Sequence, residues 1–439
     1  MSIKNLKIKN FKSLGDIDIN IDNNKKVICF VGENGSSKTS ILNLIVDAFI
    51  THSTINFLDF QLNDKKRYRF ISAQEISELS NFYTINFNYE NFDTKYSYDR
   101  IVVKDNANQE EYIEFSNNLV VYNENFYNEK VVPEPTKQDN FFRKNIFMFR
   151  PSYRHEYDGS EVASSSIDQN FNTSIRSPTL DDFPYNFKLV HSGKNIESTL
   201  IELLLDSYIG YADSKVAFSQ LPIILKKITN KDYGNFQIAR APYRRLLSSN
   251  CGAIDKFSQG ELDLIVTITS IMERQLYIYN SYGFSNKYSN FLEVPGIVII
   301  DEVDLHLHPK AQETYLKILT ETFENIQFII TTHSPFVIRG LPENSIVVQL
   351  PTAIIIDKDF STMDIDSISS HIFNLSGRFK KDIESDLDTF RLLIAEKNNT
   401  DIASIKRIYN NYKHSSSLKN ELDIYLSILP TNLVKEIVG

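Results

Sequence analysis

Tryptophan is missing from this chain, and cysteine occurs twice, at Cys29 and Cys251. Two distant cysteines give no disulfide framework and no Cys-x-x-Cys zinc pair. No apolar run approaches the roughly 20 residues of a spanning helix, and neither an internal repeat nor a long heptad array is visible. The opening stretch MSIKNLKIKNFKSLG carries charge throughout and lacks the apolar core of a signal peptide. The expectation is a reducing, cytoplasmic compartment without a membrane partner. Positive charge is also scarce: 47 Lys and Arg stand against 56 Asp and Glu, for a net charge of −9. That argues against a surface that binds nucleic acid throughout, while leaving a local basic patch open.

What is present suits a folded chain of two or three domains, or one large domain with insertions: 439 residues with 42% hydrophobic side chains. The abundance of Lys, Asn, Ile and Tyr reads as coding bias and carries no function. LKIKNF and DIDINI alternate as half-buried strands, and KVICFV reads as a buried strand leading into a loop. Thr39 to Ile50 reads as a helix. Residues 82–122 suggest an antiparallel β section, and NIFMF (145–149) another buried strand. Residues 155–192 look like an exposed polar loop. IESTLIELLLDSYI predicts a helix, and Pro222 the start of another. Strands and helices alternate from 295 to 350, the pattern of a parallel sheet. Three amphipathic helices follow in the tail, with faces marked by Ile383, Leu387 and Phe390, by Ile402, Ile405 and Tyr412, and by Leu418, Leu422 and Leu429.

Four segments carry chemistry. VGENGSSKTS, Val31 to Ser40, nearly spells a phosphate-binding P-loop, but Ser37 stands where the second glycine belongs. A side chain in a crowded or positive-φ position costs about 1–3 kcal/mol, equivalent at worst to a ten- to hundredfold weaker ligand. Serine is the least intrusive polar replacement, so the site is read as live. PGIVIIDEVDLHLHP (295–309) is a buried strand ending in Asp301 and Glu302. Adjacent carboxylates at a strand end suit one magnesium ligand and one general base. QFIITTHSP (327–335) repeats the pattern and ends in His333. FSQGELDLIVTITSIM (257–272) places Ser258 and Gly260 at a helix start, an anion site.

Together with IKNFKSLGDIDI near the N-terminus, these motifs resemble the ABC-type ATPases of the RecF, SMC and Rad50 group. The nearest likeness is to the compact AAA-family ATPases of anti-phage systems and overcoming-lysogenization nucleases. The resemblance covers 1–60 and 250–350 well, 60–250 loosely, and the tail hardly at all. It implies an α/β fold, an ABC-type ATPase head with a mixed sheet, P-loop helix and antiparallel β section, plus a helical insertion and a helical C-terminal region. The implied divisions are 1–155 for the first part of the head, 156–250 for a loop and helical insertion, 251–350 for the second part, and 351–439 for a β edge and helical partner or dimer region.

The resemblance also assigns roles. ATP and Mg²⁺ are the implied cofactors. Gly32, Asn34, Gly35, Ser36, Ser37, Lys38, Thr39 and Ser40 hold the phosphates, with Lys38 catalytic. Thr39 and Asp301 bind Mg²⁺, Glu302 is the general base, and His333 senses the γ-phosphate. Ser258 and Gly260 contact the ATP of another subunit, giving a homodimer or higher even oligomer. Asp304, His306 and His308 are read as a structural loop in preference to a metal site. The glutamine that usually accompanies Mg²⁺ is not evident; Arg150 and Ser152 stand in that region.

The insertion is too short for a long coiled coil. Asp357 and Asp359 in IIIDKDF suggest a nuclease motif, but no glutamate strand precedes them, and a β-hairpin edge is the better reading. Two functions follow. One is a defence ATPase of the Septu or retron-associated kind working with a separate effector, an HNH nuclease being the expected partner. The other is a RecF-like DNA-binding repair factor using KKRYR (65–69), Lys7, Lys9 and Lys12, or RAPYRR (240–245). A neighbouring nuclease gene would favour the first, salt-dependent DNA binding the second.

Overall fold

The computed structural model describes residues 2–22, 24–56, 76–91, 94–104, 120–122, 125–132, 144–152, 187–189, 196–240, 245–373, 381–395 and 401–438. It divides into two compact units, Met1–Ile368 and Ser369–Gly439. KKRYR and most of the loop expected at 155–192 lie outside the described residues.

The first unit opens with β1 (Ser2–Lys9), β2 (Ile17–Asn20) and β3 (Val27–Val31), followed by helix α1 (Lys38–Asn56). Next come β4 (Phe82–Asn91), β5 (Thr94–Val103), β6 (Val120–Tyr122), β7 (Asn125–Val132), β8 (Ile146–Arg150) and β9 (Phe187–Leu189). Helices α2 (Ile196–Ile209) and α3 (Ala212–Thr229) precede β10 (Phe236–Ile238), β11 (Leu246–Ser248) and β12 (Gly252–Ala253). Helix α4 (Gln259–Ser281), β13 (Gly296–Ile300), α5 (Pro309–Thr322), β14 (Ile326–Thr331), α6 (Pro335–Arg339), β15 (Ser345–Gln349) and β16 (Ile354–Ile356) complete the head.

A seven-stranded sheet runs β16-β15-β3-β14-β13-β8-β9, and a six-stranded antiparallel sheet runs β2-β1-β4-β5-β7-β6. In the first sheet only the β16 edge is antiparallel to its neighbour. Its central strands are mostly apolar because both faces are covered. Ile28, Phe30, Ile297 and Ile299 join the core around α1, while Val27, Cys29, Val298 and Ile300 are buried outside it, the period-2 alternation of a strand. Helix α1 is buried on every side from Ile41 to Phe49, as expected of a helix between two sheets. Phe49 touches both: its ring centroid lies 4.9 Å from Phe87 on β4 and 4.7 Å from Phe147 on β8. Asp47 on α1 and Arg100 on β5 form a fully buried ion pair at 2.6 Å. Gln327 on β14 fastens β1, accepting from Ile3 N at 2.7 Å and donating to Ile3 O at 3.2 Å.

Several expectations change. Pro222 does not start a helix; it lies inside α3, which begins at Ala212. Burial of Ala217, Phe218, Leu221, Ile224 and Leu225 along one face outweighs the lost backbone donor. Phe187–Leu189, inside the expected polar loop, is an edge strand parallel to β8. The small sheet β10-β11-β12 follows the helical insertion. IIIDKDF supplies β16, the antiparallel edge beside β15, and so belongs to the first unit.

Helix α7 (Ile365–His371) spans the division between the units. The second unit continues with α8 (Lys381–Ala395), α9 (Ile402–Tyr412), α10 (Ser416–Leu426) and α11 (Thr431–Val438). Its amphipathic faces pack on one another: Leu387, Phe390, Ile405, Leu418 and Leu422 form one buried core, with Ile383, Ile402, Tyr412 and Leu429 around it. Among the described residues no helix is long and apolar enough to cross a membrane.

Candidate functional site

Parallel strands β3, β14 and β13 are neighbours, so their C-terminal ends bring the loop 32–37, His333 and the Asp301–Glu302 pair together. They surround a cavity of about 470 Å³ lined by Lys12, Ser13, Asn34, Gly35, Ser37, Lys38, Thr39, Ser40, Asp301, Glu302, Thr331 and His333.

The loop has the geometry of an anion cradle. The first backbone bond into the helix is Ile41 N to Ser37 O, so the amides that open α1 have no partner within the helix. Gly32 sits at φ 153°, and a Cβ there would meet Ser36 Oγ at 2.6 Å and Leu350 O at 2.7 Å. Gly35 is at φ 84°. Ser37 adopts φ 66°, the left-handed conformation natural to glycine. Its hydroxyl lies 3.0 Å from that of Ser13, which also donates to Gly35 O at 3.3 Å. The Lys38 ammonium donates to Gly32 O at 2.9 Å and Glu33 O at 2.8 Å. Burial lowers its pKa, opposed by the Asp301 and Glu302 charges.

Thr39 Oγ1 donates to Asp301 Oδ2 at 2.9 Å. Thr331 Oγ1 donates to Asp301 Oδ1 at 2.5 Å and accepts from Glu302 N at 2.8 Å, fixing both acidic residues. Glu302 is held at φ 48°, a conformation that persists only where its surroundings enforce it. His333 is exposed at its rim. Desolvation and then the Lys38 charge lower its pKa, against Asp304, Glu302 and Asp301.

The residues fit magnesium nucleotide. Unpaired helix-opening amides and Lys38 suit phosphate oxygens, and a hydroxyl beside a carboxylate suits a hard cation. Sequence reasoning missed Ser13 and Thr331 as site residues and offered Lys12 only as part of a basic patch; Lys12 Nζ donates to Ser40 Oγ at 2.9 Å. The signal available was their place immediately after IKNF and before His333.

Ser258 and Gly260 do not line the cavity. Ser258 caps α4 in a reciprocal box with Glu261, giving 3.3 Å from Glu261 N to Ser258 Oγ and 2.8 Å from Ser258 N to Glu261 Oε2. Gly260 is buried against the loop after Glu302, where a Cβ would lie 2.3 Å from His306 O. In that loop Asp304 accepts from Thr332 Oγ1 at 2.5 Å, His308 caps α5, and His306 adopts φ 63°. Arg150 is fully buried and ion-paired with Asp263 of α4, tying the end of β8 to that helix. Ser152 lies two residues beyond β8 and does not line the cavity.

Three of the cations in the proposed basic patches are matched by acids. Lys7 meets Asp18 at 2.9 Å and Lys9 meets Asp16 at 3.8 Å. Arg245 meets Glu197 at 3.1 Å and Asp255 at 3.4 Å. Residues 241–244 of RAPYRR lie outside the described residues.

The chain is similar to the Retron Vc95 probable ATPase of Vibrio cholerae, 33% identical over 175 residues, 38% of this chain and 33% of that protein. It is 38% identical to the Retron Ec83 probable ATPase of Escherichia coli over 116 residues, 26% of this chain and 20% of the relative. With the Septu protein PtuA of Bacillus mycoides it shares 36% identity over 97 residues, 22% of this chain and 12% of the relative. The chain thus matches a third or less of the length of each of these curated relatives. Among solved structures, an Smc head bound to the C-winged helix domain of ScpA superposes with a TM-score of 0.43 at 13% identity, covering 82% of this chain and all of that one. The SMC head domain from Thermotoga maritima gives 0.37 at 14%, covering 82% and 99%. Residues 255–339 match the family described as "AAA domain, putative AbiEii toxin, Type IV TA system". Residues 5–231, more than half of the chain, match the family described as "AAA domain". The chain belongs to the AAA-domain family of ATPases.

Proposed function

We propose that this chain is an ATP-hydrolysing, nucleotide-driven dimer switch that controls a separate effector, a nuclease, in anti-phage defence. The similarity to retron ATPases and Septu PtuA supports the defence setting. The dimer reading rests on one observation: the cavity gathers Lys38, Thr39, Asp301, Glu302 and His333, yet its lining contains neither Ser258 nor Gly260. A second copy would bring those groups to the nucleotide.

In this reading Lys38 and the loop amides hold the phosphates, and Thr39 and Asp301 hold Mg²⁺, which neutralises phosphate charge when bound. Glu302 takes a proton from the attacking water, and His333 lies where a hydrogen bond to the terminal phosphate reports its presence. Two nucleotides close the dimer, and hydrolysis releases it. Matching of Lys7, Lys9 and Arg245 by carboxylates gives no support to the DNA-binding alternative.

The test is Glu302→Gln, which keeps shape and hydrogen bonding but removes the base. With ATP the variant should run as a stable dimer by light scattering, while wild type returns to its starting size as ATP is consumed. A variant that stays monomeric at saturating ATP, or hydrolyses at the wild-type rate, removes the sandwich or the base assignment respectively.

A further inference from the structure

The start of helix α4, capped by Ser258, is joined to the helical insertion through a polar cluster outside the nucleotide cavity. Helix α3 is capped by Asn230, whose left-handed φ of 57° turns the chain back. That turn carries Lys231 and Tyr233 to Glu261. Glu261 Oε1 accepts from Lys231 Nζ at 2.6 Å and from Tyr233 OH at 2.8 Å. Glu261 Oε2 accepts from Ser258 N at 2.8 Å and from Ser258 Oγ at 2.9 Å. Four donors approximate the full capacity of one carboxylate. Tyr233 is fully buried and held by Thr229 at 3.2 Å. The Lys231 ammonium lies over the rings of Tyr233 and Phe257, at 5.4 and 5.5 Å. Neighbouring Asp232 does not compete for it, being paired with Lys226 at 2.9 Å.

The arrangement has an electrostatic consequence. A bare carboxylate one hydrogen bond from Ser258 would repel a triphosphate arriving at that serine. Glu261 Oε2 also holds the serine hydroxyl proton, which a phosphate oxygen needs, and holds it less strongly when a cation shares the carboxylate's charge. Lys231 places a positive charge on the far oxygen of the same carboxylate.

We propose that Lys231 and Tyr233 are positioning residues for Ser258: they neutralise and fix Glu261 so that Ser258 can be presented to the nucleotide of a second copy. This rests on the sandwich reading above. It also gives the helical insertion a physical connection to dimer closure, since Lys231 and Tyr233 follow directly from α3.

The experiment uses the full chain in the Glu302→Gln background, titrated with ATP and followed by light scattering at about 0.1 M and about 0.5 M salt. A fluorescent ATP analogue reports monomer binding separately. Lys231→Met should bind the analogue as the parent does but need about tenfold more ATP to dimerise at low salt, the product of a few-fold effect at each of two symmetric sites. The deficit should shrink at high salt, and Lys231→Arg should behave as the parent. Tyr233→Phe should shift dimerisation in the same direction by less. Dimerisation of Lys231→Met at parental ATP overturns the proposal. So does a deficit that neither salt nor Lys231→Arg relieves, which would mark a purely structural role. Should Lys231→Met lose analogue binding through misfolding, an unshifted Tyr233→Phe overturns it. A parent that binds ATP yet never dimerises removes the sandwich reading itself, and this inference with it.

Discussion

Thr39 Oγ1 donates to Asp301 across 2.9 Å, joining the first turn of the P-loop helix to the end of a strand 262 residues later. Thr331 donates to the other oxygen of the same carboxylate. Both proposed magnesium ligands are therefore oriented by the protein itself. Asp301→Asn keeps the shape and removes the charge. It should weaken magnesium-dependent ATP binding by about ten- to a hundredfold, while binding of ATP in chelator changes little. Nucleotide titration with and without Mg²⁺ checks this; equal losses in both would mean that Asp301 serves the loop and not a cation.

Lys38 occupies loop carbonyls that phosphate oxygens would replace as its partners. Lys38→Ala should abolish detectable binding of magnesium nucleotide. A normal binding isotherm for that variant would remove the P-loop assignment.

Ser37 carries a left-handed backbone at a cost of about 1–2 kcal/mol. Ser37→Gly relieves that strain but loses the contact with Ser13, a hydrogen bond of about 0.5–1.5 kcal/mol. The balance predicts ATP affinity unchanged or raised by up to about tenfold. Ser37→Ala keeps the strain, loses the hydroxyl, and should bind more weakly than wild type. Calorimetry on the three proteins separates the two effects. A large loss in Ser37→Gly would show that the hydroxyl has a direct role that outweighs the strain.

Asp47 and Arg100 are paired with neither side chain exposed. Arg100→Met leaves a buried carboxylate and should cost about 3–5 kcal/mol of stability. The double change to Asp47→Leu and Arg100→Met should recover most of it. Denaturant unfolding of the two variants decides; a double variant no better than the single would mean that packing, not charge, is lost.

The second unit has a core of its own. A chain ending at Phe373 should remain folded and bind magnesium nucleotide within about twofold of the full chain. Aggregation, or loss of binding, would show that the head depends on the helical unit.

The buried strands were legible because parallel strands covered on both faces need continuous apolar side chains, and VICF, IVII and FIIT supply them. Asp301, Glu302 and His333 were legible because each ends such a run. The edge strand in IIIDKDF was legible because no glutamate strand precedes its two aspartates, which leaves a short apolar run suited to a hairpin at a sheet margin. Pro222 misled because its local cost is definite, whereas the packing that offsets it involves residues of other elements. The C-terminal faces were visible as stripes, but periodicity says only that a face is apolar and not what covers it; here they cover one another.

The sequence alone therefore determined the strand ends, the loop that opens α1 and the order of the acidic and imidazole groups, because these depend on local spacing and on the alternation of apolar residues. Only the tertiary structure decided that Ser13 meets Ser37, that Thr331 bridges Asp301 and Glu302, that Arg150 is spent on Asp263, and that Lys231 reaches Glu261. Each of those joins residues from different elements. Hydrogen bonds and ion pairs act over about 3–4 Å, a distance that no spacing along the chain encodes until the sheets are assembled.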